Sequence, residues 1–496
     1  WPISAGNGDP IVPSAIRRIS SLPSRKHHQS LPRARSAVPS ALTYHSKMAV
    51  VETHAGAVGH DHAVEGFEPP RRGKDAAAPP LSVLPLTMVL RSLAISTISS
   101  SRLLLPPSLS IMSLLASSQN PILNPDKNPL LKYLIKKTFY AQFCAGVSHS
   151  EVERTINNLK DLGFSGVILG YAREIVLNDE QLSTLTSCDG LDVEECIRTE
   201  ITPWKEGTLE TVNLAKPGDF VALKFTGAGR LAMADLKAQS RPSPALASAI
   251  DSICTRAVSR GVRLLFDAEQ AAIQPGIDDW TLSYMRKYNT EPGHAYIYGT
   301  YQAYLKSCPA TLASHLKAAQ EGSFTLGVKL VRGAYLGSDP RHLIHDTKAD
   351  TDTCYDGLAE SVLLRKWNGT LAGDGEFPSA SLILASHNAE SVRKAREICE
   401  QGVAKSEISF AQLMGMADEV SCELLAASSK KGLAAVPDRR GVQAYKYLVW
   451  GSTGECMKYL LRRAYENRDA VQRTKTGRDA MWGELVRRFK SAFGSA

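Results

Sequence analysis

Short runs of β-branched and aliphatic residues alternate with longer stretches of helical periodicity from residue 124 onward. Strands separated by helices form βαβ units with parallel strands, and eight such units suit a closed barrel better than an open sheet. The pattern therefore predicts an α/β protein with a (β/α)8 TIM-like barrel and an N-terminal helical extension. The eight predicted strands are 166–171, 220–225, 263–267, 295–301, 325–331, 381–386, 408–413 and 442–449.

The segments outside the barrel differ from it in composition. Residues 1–50 contain seven Lys or Arg, many Ser and one acidic residue, which is typical of a mitochondrial transit-like leader. A basic tail without a targeting role is the alternative. Residues 51–80 are rich in Gly, Pro, Ala and His and are predicted to be a disordered linker. The other predicted segments are an N-terminal helical arm at 81–150, the barrel at 151–470 and a C-terminal helix at 471–496.

Residues 81–118 are apolar but are interrupted by Arg91, Arg102 and the pair Pro106-Pro107. A helix that crosses a bilayer needs about 20 continuous apolar residues. This stretch therefore predicts helices that pack on the barrel or rest on a membrane surface, and no transmembrane helix.

Charge and cysteine content exclude several classes of protein. The net charge is +8, but fourteen basic and seven acidic residues lie within 1–135, so the rest of the 496-residue chain is almost neutral. A nucleic-acid partner is therefore not expected. Nine cysteines without a CxxC spacing predict reduced thiols and no structural zinc. The histidines and aspartates between 342 and 352 predict a solvated helix, and we expect no metal site.

Polar residues follow several of the predicted strands. In a parallel barrel the carboxyl ends of the strands form the active-site mouth, so these residues are the first candidates for chemistry. For each one alone, a solvated strand end is the alternative. They are Lys224, Asp267, Glu269, Gln302, Lys329, Arg332 and the run Ser386-His387-Asn388.

The helical segment after the last strand carries a second group of candidates. Tyr459, Arg462, Arg463 and Glu466 are spaced i, i+3, i+4 and i+7, so they share one helix face. Two adjacent arginines at a barrel mouth favour binding of a carboxylate substrate. A salt-bridged surface stripe is the alternative. The chain has no GxGxxG, GxxxxGK[ST] or HExxH motif, which argues against nicotinamide, P-loop and zinc-protease chemistry.

Six motifs, in this order, resemble the proline dehydrogenases, also called proline oxidases. The resemblance covers about residues 130–467, and the leader and insertions are similar to those of monofunctional eukaryotic, mitochondrial and fungal members. The motifs are FDAEQ (266–270), YQAYLKSCP (301–309), KLVRGAY (329–335), SHNAES (386–391), QLMGM (412–416) and YLLRRAYEN (459–467).

The resemblance implies a flavoenzyme that holds FAD without a Rossmann domain. Such an enzyme oxidises L-proline to Δ1-pyrroline-5-carboxylate, the first step of proline catabolism, and passes electrons to ubiquinone. It implies peripheral contact with the inner mitochondrial membrane on the matrix side. A separate pyrroline-5-carboxylate dehydrogenase would then take the product, because a chain of this length has no room for a fused one.

The resemblance also implies roles for individual residues. Asp267 and Lys329 take the catalytic positions. The expected substrate-binding residues are Lys224, Tyr447, Tyr459, Arg462, Arg463 and Glu466. The expected FAD-binding residues are Gln302, Lys329, Arg332, Gly333, Ala334, Ser386, His387 and Leu413. In many bacterial relatives arginine stands at the position of Lys329 and lysine at that of Arg332, so the role of Lys329 stays open.

Three alternative functions are compatible with the residues alone. The first is flavin-dependent oxidation of another cyclic secondary amine such as hydroxyproline, although Tyr447 would crowd a hydroxylated ring in the family's arrangement. The second is a Schiff-base lyase in which Lys224 attacks a carbonyl. The third is a degenerate barrel that senses proline or acts as a scaffold.

Overall fold

Eight parallel strands close into a barrel that is ringed by helices. The computed structural model describes residues 79–118, 120–172, 192–337, 339–428, 442–466 and 471–494. The predicted leader, and all but the end of the predicted linker, lie outside these residues. Within the last two helices, the side chains of Arg462, Tyr465, Glu466 and residues 471–473 also lie outside the description.

Every strand pairing in the sheet is parallel, and the order β2-β3-β4-β5-β6-β7-β8-β9 closes through a pairing of β9 with β2. This confirms the predicted (β/α)8 barrel. The strands are β1 (Cys144–Gly146), β2 (Gly166–Tyr171), β3 (Phe220–Leu223), β4 (Arg263–Phe266), β5 (Ile297–Gln302), β6 (Leu326–Val331), β7 (Ala380–Ala385), β8 (Glu407–Leu413) and β9 (Ala444–Trp450).

The helices of the described part fall into an N-terminal group, a surrounding ring and a C-terminal pair. The N-terminal group is α1 (Leu86–Ser100), α2 (Leu105–Ser117) and α3 (Pro129–Ile135). The ring is α4 (His149–Asp161), α5 (Val193–Cys196), α6 (Thr202–Leu214), α7 (Arg230–Lys237), α8 (Pro244–Ser259), α9 (Gln274–Tyr288), α10 (Cys308–Glu321), α11 (Lys348–Leu364), α12 (Ala389–Glu400) and α13 (Asp418–Ser428). The C-terminal pair is α14 (Thr453–Glu466) and α15 (Val471–Ala492).

Shorter helical turns extend some of these helices. They are Pro80–Val83, Lys136–Tyr140, Ala141–Phe143, Ile197–Ile201, Phe225–Ala228 and Arg341–Leu343. Polar caps mark where several helices begin. At α11, Thr347 and Asp350 form a reciprocal capping box, and at α12 the Asn388 side chain accepts a hydrogen bond from the Ser391 N–H at 3.2 Å.

Side chains on alternate strand positions build two separate layers. Outward-facing residues such as Val328 and Leu330 pack against the helices in the largest apolar cluster. Inward-facing residues such as Leu265, Ile383 and Tyr445 fill the barrel interior. Because the period of a strand is two, each interior position predicts which later residue of the same strand points into the mouth.

The amino end of the barrel is closed by a buried ion pair. The Arg263 guanidinium donates to Glu407 Oε1 at 2.8 Å and lies 3.9 Å from the centroid of the Phe220 ring. These side chains fill the end opposite the candidate site. The barrel interior is therefore accessible from the carboxyl end of its strands.

The N-terminal helices pack on the C-terminal pair. Helix α1 lies against α15, where Val89 and Met481 share one apolar cluster, and α2 lies against α14, where Met112 and Met457 share another. Among the described helices, none is by itself long and apolar enough to cross a membrane. The pair α1 and α2 together meets the length and composition criteria, but the two helices are bent by 105° relative to each other.

Candidate active site

The mouth of the barrel is built from residues that continue the interior positions of the strands. Leu265 of β4 faces inward, so Asp267 two residues later also faces inward, and the same step leads from Tyr445 to Tyr447 in β9. Lys329 lies beside Ile383, an interior residue of β7, in the register of β6 and β7. The alternation of side chains along each strand therefore brings a carboxylate, an ammonium group and a phenol into one space.

These three side chains contact one another directly. Lys329 Nζ donates to Asp267 Oδ1, and the Tyr447 hydroxyl donates to Asp267 Oδ2 at 3.2 Å. The same ammonium lies 5.5 Å from the centroid of the Tyr447 ring. The side chains of Lys329 and Asp267 are only 7% and 9% exposed. Both carboxylate oxygens accept hydrogen bonds, so Asp267 is placed as a fixed anion with a buried cation beside it.

A glycine makes room for the Tyr447 ring. Gly170 of β2 faces it, and a Cβ atom at position 170 would lie 3.0 Å from the Tyr447 hydroxyl oxygen. A larger residue there would push the hydroxyl away from Asp267. The short sequence Gly170-Tyr171 at the end of β2 therefore supports the position of a phenol 277 residues later in the chain.

Lys224 lies at another part of the mouth, directly after β3. Its Nζ donates to the Tyr335 hydroxyl at 3.3 Å, and that hydroxyl donates to the carbonyl of Ala268 at 3.2 Å. Tyr335 was not singled out from the sequence, although it ends the KLVRGAY motif. The available sequence signal was the position of Tyr335 at the end of the KLVRGAY motif, whose first residue, Lys329, faces the barrel interior.

Glu269 was named as a strand-end candidate and proves to hold a turn in place. Its carboxylate accepts from the Thr226 N–H at 3.1 Å and from the Thr226 hydroxyl, and it is buried. It therefore ties the segment after β4 to the turn that follows Lys224. Its contacts in the described part are structural.

Arg332 extends from β6 toward the outer helices. Its guanidinium pairs with Asp352 of α11, donates to Ser391 Oγ at 2.7 Å and lies 4.9 Å from the centroid of the Tyr355 ring. Burial tends to raise the pKa of Asp352, but Lys348 and Arg332 together hold that pKa below its usual value. Burial raises the pKa of Tyr355, although the Arg332 charge acts in the opposite direction. Arg332 Nε is buried and has no hydrogen-bond partner among the described residues.

The backbone after Arg332 is held close to β5. The Ala334 N–H donates to Gln302 Oε1 at 3.1 Å. Gly333 has φ of 153°, and a Cβ atom there would lie 2.3 Å from Tyr304 Cδ1. Only glycine fits this approach without displacing the tyrosine ring.

His387 and Leu413 lie side by side where β7 and β8 end. The Leu413 N–H donates to His387 Nε2 at 3.1 Å, so this ring nitrogen acts as an acceptor. Ser386 is buried beside them and its hydroxyl accepts from the Asn388 N–H at 3.1 Å. Gln302, Arg332 to Ala334, Ser386, His387 and Leu413 thus follow the strands β5 to β8 around one side of the mouth.

The last two helices contribute the remaining candidates. Tyr459 and Arg463 lie one turn apart on α14, with the guanidinium carbon 5.7 Å from the centroid of the tyrosine ring. Arg462 and Glu466 belong to the same helix, but their side chains lie outside the described part of the structure.

A cavity of about 170 Å³ joins these elements. Its inner wall includes His387, Leu413, Tyr447, Tyr459 and Arg463 at the mouth. Its outer wall is formed by the inner faces of α1 and α2 and by α15. The cavity therefore brings three of the predicted mouth residues together with two of the predicted helix-face residues.

A closed barrel with its charged and aromatic side chains gathered at the carboxyl ends of the strands defines the chain as a (β/α)8-barrel enzyme. The family model described as Proline dehydrogenase matches residues 152–476, which is more than half of the chain. The chain belongs to the proline dehydrogenase family.

Named sequence relatives agree with this membership. The chain is 29% identical over 410 residues to the "Probable proline dehydrogenase, mitochondrial" of Schizosaccharomyces pombe, covering 73% of this chain and 80% of the relative. It is 28% identical over 403 residues to "Proline dehydrogenase 1, mitochondrial" of Arabidopsis thaliana, covering 72% and 75%. It is also 28% identical over 391 residues to the "Hydroxyproline dehydrogenase" of Mus musculus, covering 72% and 82%.

The fold agrees with a solved structure of proline utilization A from Bdellovibrio bacteriovorus inactivated by N-propargylglycine. The TM-score is 0.55 at 17% sequence identity, and the match covers 80% of this chain but 40% of that one. Two of the relatives above are named mitochondrial, which supports a mitochondrial location and agrees with the leader predicted over residues 1–50.

Proposed function

We propose that this chain catalyses the FAD-dependent oxidation of L-proline to Δ1-pyrroline-5-carboxylate, the first step of proline catabolism. The observation that carries the proposal is the buried cluster of Asp267, Lys329 and Tyr447, which adjoins a cavity bounded by Tyr459 and Arg463. Family membership and the named relatives support the same substrate.

The cavity provides the groups that a small cyclic amino acid requires. Proline carries a carboxylate and a secondary amine on an apolar ring. Arg463, which lines the cavity, would supply positive charge for the carboxylate, and Lys224 after β3, at another part of the mouth, would add to it. The rings of Tyr447 and Tyr459 would supply apolar walls. We assign Arg462 and Glu466 to the same substrate-binding helix face by their spacing.

The residues along β5 to β8 fit a flavin. Arg332 offers a buried Nε atom that no described residue satisfies, and Gly333 keeps the backbone free of a side chain at the narrowest point. We propose that Gln302, Lys329, Arg332, Gly333, Ala334, Ser386, His387 and Leu413 hold FAD. When bound, the flavin would supply the hydride acceptor.

The protein's own groups then act by orientation and charge. Clamping the carboxylate fixes the ring carbon next to nitrogen, and such positioning accounts for several kcal/mol in well-oriented reactions, about 7–11 at the upper limit. Loss of hydride makes the proline nitrogen an iminium cation. The Asp267 carboxylate, which accepts hydrogen bonds from Lys329 and Tyr447 in the mouth, would stabilise that developing charge.

Electrons and product must then leave the site. We propose ubiquinone as the electron acceptor, with the chain bound peripherally on the matrix side of the inner mitochondrial membrane. The cavity supports this, because it extends from the mouth to the apolar inner faces of α1 and α2. The product would be consumed by a separate pyrroline-5-carboxylate dehydrogenase.

The absorbance spectrum of the purified full chain, before and after anaerobic addition of L-proline, tests this proposal. We expect flavin bands at about 370 and 450 nm that bleach with L-proline. Bands that bleach with 4-hydroxyproline and not with proline would move the function to hydroxyproline oxidation. A colourless protein that borohydride traps with a carbonyl compound through Lys224 would contradict the flavin reaction and favour the lyase.

A further inference from the structure

Large apolar side chains are exposed mainly in one part of the molecule. Of the eighteen that are exposed in the described residues, eleven lie between residues 83 and 134, two lie in α15 and one lies directly after α15. Leu103, between α1 and α2, is 86% exposed, and Phe493, just after α15, is 71% exposed. Contiguous exposure of this kind marks an interaction surface in proteins that are otherwise well packed.

Helices α1 and α2 are apolar on two opposite faces. Their inner faces are already occupied, because Val89 packs with Met481 and Met112 packs with Met457. The outer face of α1 carries Leu86 and Leu90, and the outer face of α2 carries Leu104, Pro107, Ile111 and Leu114 at helical spacing. Packing on the barrel explains the apolar residues on the inner faces of the two helices but does not explain those on the outer faces.

Helix α15 repeats the pattern. Trp482, Val486, Phe489 and Phe493 follow at i, i+4, i+7 and i+11, and the last two rings contact each other in a tilted arrangement with their centroids 4.5 Å apart. The outer faces of α1, α2 and α15, with the connecting residues Arg102 to Leu104, are called the apolar elbow below.

The charge of these segments is positive. Residues 79–125 contain Arg91 and Arg102 and no acidic residue at all. Over residues 79–140 there are six basic residues and one acidic residue, and α15 has six basic and two acidic. Exposed Arg102, Lys137 and Lys490 lie beside exposed apolar side chains. Apolar and basic residues together are the composition of helices that lie in a lipid interface.

The geometry of the elbow suits helices that lie on a membrane surface and does not suit helices that cross a bilayer. The two helices are bent by 105°, and each is held along its inner face by α14 or α15. Arg91 Nε also donates to Gln142 Oε1 at 2.9 Å, and Gln142 Nε2 donates to the Gly415 carbonyl at 3.1 Å, which ties α1 to the barrel mouth. Crossing a bilayer would require α1 and α2 to leave these partners.

We propose that the apolar elbow is a membrane-docking surface that seats on a bilayer carrying net negative charge. A second copy of the chain is the competing occupant. An isologous contact between two elbows would bring two strongly basic surfaces together, which opposes dimerisation at this face. Anionic lipid complements both the charge and the apolar side chains. The cavity described above lies directly behind this surface.

Vesicle co-sedimentation of the full chain tests the proposal. Phosphatidylcholine vesicles with about one-fifth phosphatidylglycerol should bind the protein, pure phosphatidylcholine should bind it more weakly, and added salt should reduce the difference. The variant Leu104→Asp/Ile111→Asp should reduce the partition coefficient by about tenfold or more. The control Val193→Asp/Val403→Asp changes two equally exposed apolar residues outside the elbow and should bind as the wild type does.

A second readout needs no destabilising change. Trp482 is 58% exposed, whereas Trp204, Trp280 and Trp450 are buried. Brominated phosphatidylcholine mixed into the anionic vesicles should quench a part of the fluorescence that is missing in Trp482→Phe. Equal quenching in both proteins, or failure of the wild type to bind anionic vesicles, would overturn the proposal.

Sedimentation velocity without lipid tests whether a second copy of the chain binds at the apolar elbow. A dimer that Leu104→Asp/Ile111→Asp converts to a monomer would assign the elbow to self-association and overturn the membrane proposal. The docking surface rests on the peripheral membrane binding proposed above, but vesicle binding requires neither flavin nor proline. Its failure would therefore overturn the membrane contact and leave the proposed oxidation of proline intact, and failure of the oxidation would leave docking intact.

Discussion

Replacing Asp267 by alanine leaves the ammonium of Lys329 in the barrel mouth without the carboxylate that now neutralises it. The two side chains are 7% and 9% exposed, so water cannot readily take the place of the lost oxygen. Removing one partner of a buried ion pair costs about 3–5 kcal/mol, which is a large part of the 5–15 kcal/mol that stabilises a typical domain. The Tyr447 ring offers Lys329 a cation–π contact at 5.5 Å, worth about 2 kcal/mol at most.

The double variant Asp267→Ala/Lys329→Met separates the interaction energy of the Asp267–Lys329 pair from the effect of each single substitution. Lys329→Met leaves a carboxylate that can take up a proton and keep the Tyr447 hydrogen bond, so this change should cost less, about 1–3 kcal/mol. Asp267→Ala/Lys329→Met leaves no buried charge at either position and should be more stable than Asp267→Ala alone. We expect a coupling energy of about 2–3 kcal/mol.

Guanidinium unfolding followed by circular dichroism, with and without added FAD, measures these free energies. The flavin-free series isolates the contribution of the protein's own groups. Asp251→Ala is the matched control, because Asp251 and Lys287 form a pair at 2.6 Å on the surface, with side chains 41% and 54% exposed. That change should cost about 0.2–1 kcal/mol. A cost for Asp267→Ala no larger than the control, or a double variant no more stable than the single, would refute the reasoning.

The other predictions concern substrate binding and pH. Arg463→Met should raise KM for proline by about thirtyfold or more while the flavin content stays at the wild-type level. The control Arg393→Met, on the exposed face of α12, should change neither quantity. A loss of flavin in Arg463→Met as large as the loss of proline binding would show that α14 has a structural role. Turnover should rise through mildly alkaline pH, since the neutral amine of proline loses hydride more readily, and a flat profile between about pH 6 and 9 would contradict this. Burial lowers the pKa of His315 to about 4, so the unfolded chain takes up a proton there that the folded chain does not. His315 alone therefore lowers the stability by up to about 3 kcal/mol as pH drops from about 6.5 to 4, a loss that Asp278 offsets in the wild type. His315→Gln should remove this loss, and Asp278→Asn should steepen it, because burial raises the pKa of Asp278 to about 7 and that residue acts in the opposite direction over the same range.

Periodicity predicted the barrel because each strand carries its own local signal. All eight predicted strands overlap the observed ones. The alternation of side chains along those strands, once their bounds are known, places Asp267, Lys329 and Tyr447 on the interior side. The strand β1 was missed, because Cys-Ala-Gly has no β-branched residue and is a strand only through its pairing with the end of β9. A strand created by its partner leaves no local signal in the sequence.

Long-range partners could not be read from the sequence for a similar reason. Nothing in the spacing pairs Lys224 with Tyr335, or Arg332 with Asp352, because each pair depends on how segments that are distant in the sequence pack together above the barrel. The assignment of residues to flavin and substrate stays a prediction. The mouth does bring Lys224, Gln302, Lys329, His387, Leu413, Tyr447, Tyr459 and Arg463 to the carboxyl ends of the strands or to the cavity beside them.

The order of the two cations in KLVRGAY has a physical reason in this structure. Position 329 faces the closed barrel interior, where one compact ammonium reaches a single Asp267 oxygen and lies over the Tyr447 ring. Position 332 lies just after the strand, where the planar guanidinium group of Arg332 reaches Asp352 and Ser391 at the same time. A point charge suits the first place and a bidentate donor suits the second, so exchanging the two residues would lose contacts at both. The arrangement of Lys329 before Arg332 is therefore matched to the neighbours that each residue has in this chain.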